Sequence, residues 1–307
     1  MKIYKPSFWN KKGIISFLLY PLTFITLIIN LIKNLSYKNK FKLKTICIGN
    51  IYVGGTGKTP LTIKVNEILK NNYKTIFIKK KYPNQHDEQK LLKSHGRLVC
   101  LNNRISAINY AQSKKFEVGI IDDGLQEKRI KYDITIACFN SSSGIGNGFL
   151  LPAGPLREHI SNIKNYDAIF LNGTKSNHKL KSYFKKIDKK INIFEGQYVP
   201  TNLKDINRNK NFLIFSGLGN PDEFEKTLKK YKFKIKKKYI YPDHYEFSDS
   251  EINKLKREAK KEKLDIITTE KDYLRLTMNS KKNITYLKIK LKIKNEKIFL
   301  KFLTNKL

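Results

Sequence analysis

The stretch Gly54-Gly55-Thr56-Gly57-Lys58-Thr59-Pro60 follows an apolar run directly and is followed at once by a helical pattern that proline opens. This order constrains the fold more than any other feature of the chain. A buried strand, a glycine turn and a helix N-terminus in succession make a phosphate cradle: backbone amides and the helix dipole face the oxygens, and a lysine reaches them from the first turn. On this reading Gly54, Gly55, Thr56 and Gly57 hold the phosphates of ATP, Lys58 reaches the β and γ oxygens, and Thr59 ligates Mg2+. The strict GxxxxGK[ST] spacing is not met, because Tyr52 stands at its first position, and a structural glycine turn is the plainer alternative. A second apolar run, Ile120-Ile121, ends in Asp122-Asp123-Gly124. In P-loop proteins a carboxylate at such a strand tip holds Mg2+ or its water shell. A capping aspartate before a glycine turn is the alternative there.

The same alternation of strand and helix runs on through the chain. Residues 44–48, 74–78, 97–101, 118–121, 134–139 and 168–171 are short apolar runs separated by helix-length segments. They predict an α/β fold whose P-loop parallel sheet is covered by helices. Residues 191–200 (INIFEGQYVP) are expected to form an extended connector. Beyond it, strands at 211–216, 236–241 and 265–268, with helices at 222–231 and 249–263, predict a second, smaller α/β domain. Residues 286–293 alternate in the β manner, suited to pairing with the connector, and 296–302 form a last helix. The expected division is an N-terminal membrane-associated anchor over 1–40, a P-loop core over 41–190, a connector strand over 191–204, a second domain over 205–284, and a return strand and C-terminal helix over 285–307.

Residues 13–32 (GIISFLLYPLTFITLIINLI) carry no charge and lie between Lys11, Lys12 and Lys33. That length just reaches what a membrane-crossing helix needs. Pro21, Thr23, Thr26 and Asn30 weaken a span, and Tyr4, Phe8 and Trp9 are aromatics of the interfacial type. The segment is therefore expected to lie in or dip into a membrane surface, with a single span as the second choice and a buried core helix as the third. No small-residue cleavage site follows, which argues against a secretory signal. The net charge of +36 suits an anionic membrane surface, but the lysines are spread along the chain with much Asn and Ile, as an AT-rich genome would produce. Neither interleaved aromatics, an RNP-like motif nor a helix-turn-helix spacing accompanies them, so no nucleic acid is expected as a partner. A hydrophobic content of 40% excludes a disordered basic tail. Cys47, Cys100 and Cys138 lie in apolar runs without CxxC spacing, which suggests neither a disulfide scaffold nor a zinc site and fits a reducing compartment.

Two further elements sit in expected loops: Asp87-Glu88, preceded by His86, and Tyr241-Pro242-Asp243-His244. A carboxylate and an imidazole brought together can polarise an attacking hydroxyl. With these the motifs accumulate to a family. Trp9 and the apolar stretch, Gly49-Asn50 before VGGTGKTP, Asp87-Glu88, Asp122-Asp123-Gly124 with Gln126, and Gly146-Asn147-Gly148 leading into Leu151-Pro152-Ala153-Gly154-Pro155-Leu156-Arg157-Glu158 come first. Ser216-Gly217-Leu218-Gly219-Asn220-Pro221, the Pro242-Asp243-His244 motif and Thr268-Thr269-Glu270-Lys271-Asp272 follow. Over nearly its full length the chain resembles the tetraacyldisaccharide 4′-kinases, whose own P-loop also lacks the first glycine.

The resemblance implies an ATP-dependent lipid kinase of lipid A biosynthesis, which phosphorylates the 4′-hydroxyl of a tetraacyldisaccharide-1-phosphate. It implies ATP and Mg2+ as cofactors, held by Lys58, Thr59, Asp122 and Asp123. Asp87 matches the family's catalytic aspartate and His244 the histidine paired with it. Glu88 and Asp243 would support them, and Arg157 or Glu158 would line the acceptor site. The implied partners are a lipid disaccharide in the membrane and the anionic membrane surface, with no obligate protein partner. The implied location is the cytoplasmic face of the bacterial inner membrane, held peripherally or by a single N-terminal anchor. The chain departs from the family pattern at Lys79-Lys80-Lys81-Tyr82-Pro83, where an SRGYG-like turn is usual, and the path to Asp87 is shortened. Leu125 and Glu127 stand where phenylalanine and histidine are common. A P-loop ATPase or GTPase of the metallochaperone class, and a non-catalytic membrane-associated nucleotide-binding protein, are the competing readings.

Overall fold

The computed structural model describes residues 6–82, 85–219, 221–243 and 245–307. The uncharged N-terminal stretch folds as two helices, α1 (Ile14–Leu18) and α2 (Thr23–Asn34), with a 3-10 turn over Tyr20–Leu22 between them. Pro21 explains the break, since its ring supplies no amide hydrogen and clashes with the preceding turn. Among the described residues no helix is long and apolar enough to cross a membrane, which corrects the spanning alternative.

The chain then runs through β1 (Lys44–Gly49), α3 (Lys58–Leu69), β2 (Thr75–Lys80), α4 (His86–His95), β3 (Leu98–Leu101), α5 (Arg104–Ser113), β4 (Val118–Asp122), β5 (Ile134–Asn140), β6 (Ala168–Asn172), α6 (His178–Ile187) and β7 (Asn192–Pro200). There follow β8 (Asn211–Ser216), α7 (Pro221–Lys230), β9 (Lys234–Ile240), α8 (Asp249–Lys261), β10 (Asp265–Thr269), α9 (Glu270–Tyr273), α10 (Met278–Lys281), β11 (Ile284–Leu287), β12 (Ile289–Ile293) and α11 (Glu296–Thr304). Eight strands form one sheet in the order β12-β7-β6-β5-β1-β4-β2-β3, and four form another in the order β11-β10-β8-β9. Each pair whose register is defined is parallel.

Parallel strands covered on both faces need apolar side chains at successive positions. β4 and β6 are buried at every residue, and β1 at every residue after Lys44. β1 lies between β4 on one side and β5 on the other. The chain leaves β1 toward β2 on the β4 side and later returns to β5 on the opposite side. The carboxyl end of β1 is thus a topological switch point, where ligands bind in open α/β sheets.

Two compact units partition the chain. One comprises the described residues up to Lys81 together with Leu92–Gln197 and Leu291–Leu307; the other comprises Tyr82–Leu91 and Tyr198–Lys290. The connector expected over 191–200 is β7, a full member of the larger sheet between β6 and β12. The single strand expected over 286–293 is two strands, and β11 and β12 go to different sheets. Lys288 marks the break: its amide donates to Asn202 Oδ1 at 2.9 Å and its carbonyl accepts from the Thr201 amide at 2.9 Å. The lysine tract 234–238 lies on β9, an edge strand whose Lys234, Lys236 and Lys238 are exposed. Edge lysines discourage pairing with another strand, which gives that tract a structural reason.

Candidate active site

The phosphate loop occupies the turn from β1 to α3. Gly54 and Gly57 adopt φ of 127° and 88°, and Gly57 caps α3. A side chain there would be strained, so the turn depends on glycine. The buried Asn50 holds the loop from behind: its Nδ2 donates to the carbonyls of Tyr52 at 2.5 Å and Gly54 at 3.3 Å, and to Thr56 Oγ1 at 3.0 Å. Gln126 Nε2 in turn donates to the Asn50 carbonyl at 2.7 Å. On its outer side the loop is bound by the LPAGPLRE segment. Val53 N donates to the Pro155 carbonyl at 2.9 Å, and Arg157 N to the Ile51 carbonyl at 2.7 Å. That motif is therefore a wall of the phosphate loop, a role its composition does not reveal.

Asp122 ends β4 with 0% exposure. Its Oδ2 accepts from Thr59 Oγ1 at 3.1 Å and from Lys79 Nζ at 2.7 Å, and its Oδ1 from Thr62 Oγ1 at 3.3 Å. Asp123, the next residue, adopts φ of 58° and turns its side chain into a ring of cations. Lys58 Nζ lies 3.9 Å from its Oδ2, Arg157 Nη1 lies 3.7 Å from its Oδ1, and Arg104 donates to its carbonyl at 2.5 Å. Burial alone would raise the Asp123 carboxyl, but Lys58, Arg157, Lys79 and Arg104 outweigh it and hold it below the usual aspartate range. The buried Asp123 Oδ1 accepts no hydrogen bond from any described residue. A carboxylate oxygen without a hydrogen-bond donor, one residue after the aspartate that takes the Thr59 hydroxyl, suits Mg2+ with its water shell. No three His, Cys, Asp or Glu groups gather for a metal among the described residues, so phosphate and water would complete such a shell. Cys47 lies beneath this site, its thiol pushed up to about 12 chiefly by burial, which makes it inert packing.

Glu158 follows Arg157 at the end of the LPAGPLRE segment. It is buried, with Lys128 Nζ at 2.9 Å and the Tyr166 hydroxyl at 3.0 Å on Oε2, so it belongs to a structural network. The N-terminal helices dock against the same motif by their polar side chains. Thr26 Oγ1 donates to the Leu151 carbonyl at 2.7 Å, Asn30 Nδ2 to the Arg157 carbonyl at 2.8 Å, and Trp9 Nε1 to the Pro152 carbonyl at 3.0 Å. Asn147 gathers Phe8 O, Ser16 Oγ and Ala153 O with its amide group. A Cβ on Gly154 would collide with the Asn147 side chain and the Phe149 carbonyl, which explains the glycine.

In the other unit, Asp87 and Glu88 occupy the first turn of α4, where the helix dipole favours carboxylates. Asp87 is buried, and its Oδ2 accepts from Arg275 Nη2 at 2.7 Å, with Lys271 Nζ at 3.5 Å. Lys271 also lies 2.9 Å from Glu88 Oε1 and 3.8 Å from Asp243 Oδ1. Burial pulls the Lys271 ammonium down, but Glu88, Asp243 and Asp87 outweigh it and raise it, so it stays charged. Arg275 Nη1 bonds Asp272 Oδ1 at 2.8 Å and the Gly217 carbonyl at 2.9 Å. Asp272 in turn accepts from Thr269 Oγ1 at 2.7 Å. The TTEKD motif thus delivers Lys271 and anchors Arg275. Sequence reasoning gave neither residue a role, and the only signal was the density of charge in the motif. His244 lies outside the described residues.

A family model described as tetraacyldisaccharide-1-P 4′-kinase matches residues 15–307. A tetraacyldisaccharide 4′-kinase of Pelagibacter ubique is 49% identical over 311 residues, covering 100% of this chain and 98% of that protein. One of Rickettsia bellii is 34% identical over 328 residues, covering 98% and 99%. The solved structure of LpxK from Aquifex aeolicus, an "apo" form in complex with ATP, superposes with a TM-score of 0.72 at 23% identity, covering 95% of this chain and 99% of that one, and supports the fold.

Proposed function

The chain belongs to the tetraacyldisaccharide-1-P 4′-kinase family, and from that premise we propose that it transfers the γ-phosphate of ATP to the 4′-hydroxyl of a tetraacyldisaccharide-1-phosphate in lipid A biosynthesis. The observation that carries the reading is the phosphate loop at the β1 switch point, with Thr59 bonded to the buried Asp122 and Asp123 presenting an unsatisfied oxygen. The metallochaperone-class and non-catalytic readings have no comparable support.

Phosphoryl transfer depends mainly on positioning and charge neutralisation. The amides of residues 54–57 and Lys58 bind the phosphates, while Asn50, Gln126 and the Pro155–Arg157 backbone keep the loop in shape. Thr59, Asp122 and Asp123 would hold Mg2+, which when bound would supply charge neutralisation at the transferring phosphoryl group. Asp87 aligns the acceptor hydroxyl, with His244 as its partner. Arg275 and Lys271 hold the Asp87 carboxylate in place, and Glu88 and Asp243 hold Lys271. Arg157, beside Asp123 and Gln126, serves the phosphate side of the site.

The protein sits peripherally on the cytoplasmic face of the inner membrane, with lipid disaccharide and anionic headgroups as its partners and with no nucleic acid or obligate protein partner. Supporting this, α1 and α2 turn polar side chains toward the protein and leave apolar ones outside: Leu18, Leu31 and Ile32 are 74%, 63% and 63% exposed. Apolar surface on this scale marks an interaction site, and Lys11, Lys12 and Lys33 flank it to meet anionic headgroups. The test is Lys58→Ala. It should abolish label transfer from the γ-position of ATP while vesicle binding is retained, and retained transfer would overturn the assignment.

A further inference from the structure

Lys79 is the feature of the phosphate site that neither the motif nor the proposed mechanism uses. It opens the lysine tract at which the chain departs from the family pattern, and it is 1% exposed. Lys79 on β2 is the register partner of Asp122 on β4, so parallel pairing sets the two side chains on one face of the sheet. Its Nζ then lies 2.7 Å from Asp122 Oδ2, the same oxygen that accepts from Thr59.

The ionic balance follows from this pair. A P-loop with two aspartates beside it sets two negative charges close to an incoming polyanion, and a divalent cation ordinarily relieves that repulsion. Here one of the two charges is already offset in a water-excluded setting, where pairing is strongest. Lys58, Arg157, Lys79 and Arg104 all act on the Asp123 carboxylate, and Lys79 pairs directly with Asp122. Among the described groups gathered here, four cations stand beside two carboxylates before any metal binds.

Resting on the nucleotide-site reading above, we propose that Lys79 is a built-in counter-cation of the phosphate loop, which lets this chain capture ATP without a divalent cation. The metal is then needed for transfer rather than for capture. Thr59 stays aligned in the metal-free state, because Asp122 is held as its acceptor by the Lys79 ammonium.

The test is calorimetric titration of the full-length protein with ATP, in EDTA and in Mg2+. Wild type should bind ATP in EDTA within about tenfold of its affinity in Mg2+. Lys79→Met should weaken binding in EDTA by about tenfold or more, and weaken it less in Mg2+. Asp122→Asn should act with the opposite sign: metal-free binding tightens because Lys79 is no longer offset, although turnover is lost. This second variant keeps the test decisive if Lys79→Met proves unfolded by circular dichroism. Binding by wild type in Mg2+ but not in EDTA overturns the inference alone, as do folded variants that both bind metal-free ATP as wild type does. Binding under neither condition overturns the nucleotide site itself and this inference with it.

Discussion

Asp122 and Asp123 are adjacent in sequence and opposite in surroundings. Asp122 has both oxygens committed to donors within the protein, whereas Asp123 keeps one oxygen without a described donor and stands among cations. Because the folded carboxyl of Asp123 lies below its ordinary value of 3.8, its contribution to stability is complete above that pH and fades as pH falls through the folded value. Asp123→Asn, which tolerates the same left-handed backbone, should therefore flatten the acid limb of a thermal-melting profile relative to wild type. An unchanged acid limb would contradict the cation ring. Arg275 offers a larger effect, since removing one partner of a buried ion pair costs about 3–5 kcal/mol. Arg275→Ala should lose that much in urea unfolding, and a loss below about 1 kcal/mol would show that Asp87 is held by something else. His244→Ala should lower turnover more than ATP affinity, and a loss confined to ATP binding would contradict its place at the acceptor. At this scale Lys58, Thr59 and the two aspartates were legible, because the motif places them by local spacing. Lys79, Asn50 and Arg275 were not. Their roles depend on strand register, on a side chain folded back under its own loop, and on a contact across 188 residues.

Among the elements, α1 and α2 are the most unusual, because they are amphipathic with the customary faces exchanged. Ser16, Thr23, Thr26 and Asn30 recur at helical intervals, and each donates a hydrogen bond to a backbone carbonyl. Thr23, Thr26 and Asn30 stood out in the sequence only as residues that weaken a span. The meaning of Thr26 and Asn30 required the carbonyls of the LPAGPLRE segment, which lie more than a hundred residues away. Fully burying one Ile or Leu side chain is worth about 1.5–3 kcal/mol. Ile28→Glu with Leu31→Glu, both on the exposed face of α2, should therefore reduce co-sedimentation with phosphatidylglycerol vesicles by more than tenfold while circular dichroism stays unchanged. Undiminished vesicle binding would remove the membrane role of this face. The strands were legible to within a residue or two because buried parallel strands are written as continuous apolar runs. The exception was the segment over 286–293, where alternation told of one strand, whereas the chain forms two that join different sheets.

For the whole molecule, the charge of +36 has several separable origins. Some lysines guard the edge strand β9, some pair with carboxylates on or next to α8, as Lys237 does with Glu258 and Glu262, and a few stand at the phosphate site. Composition alone could not apportion them, because a lysine in a tract and a lysine at a strand register look alike in sequence. The family, by contrast, was legible from motifs spread over nearly the full chain, and the match over residues 15–307 agrees with it. What unites the phosphate loop, the Asp87 network and the exposed N-terminal helices is a single proposed act, moving phosphate from ATP to a lipid hydroxyl at a membrane surface. The measurement that tests it most directly is incubation of the detergent-solubilised protein with γ-labelled ATP, Mg2+ and a tetraacyldisaccharide-1-phosphate, followed by separation of the lipids. The account predicts labelled bisphosphorylated lipid that is absent when the acceptor is omitted. Label released only as inorganic phosphate, with or without the lipid, would contradict it.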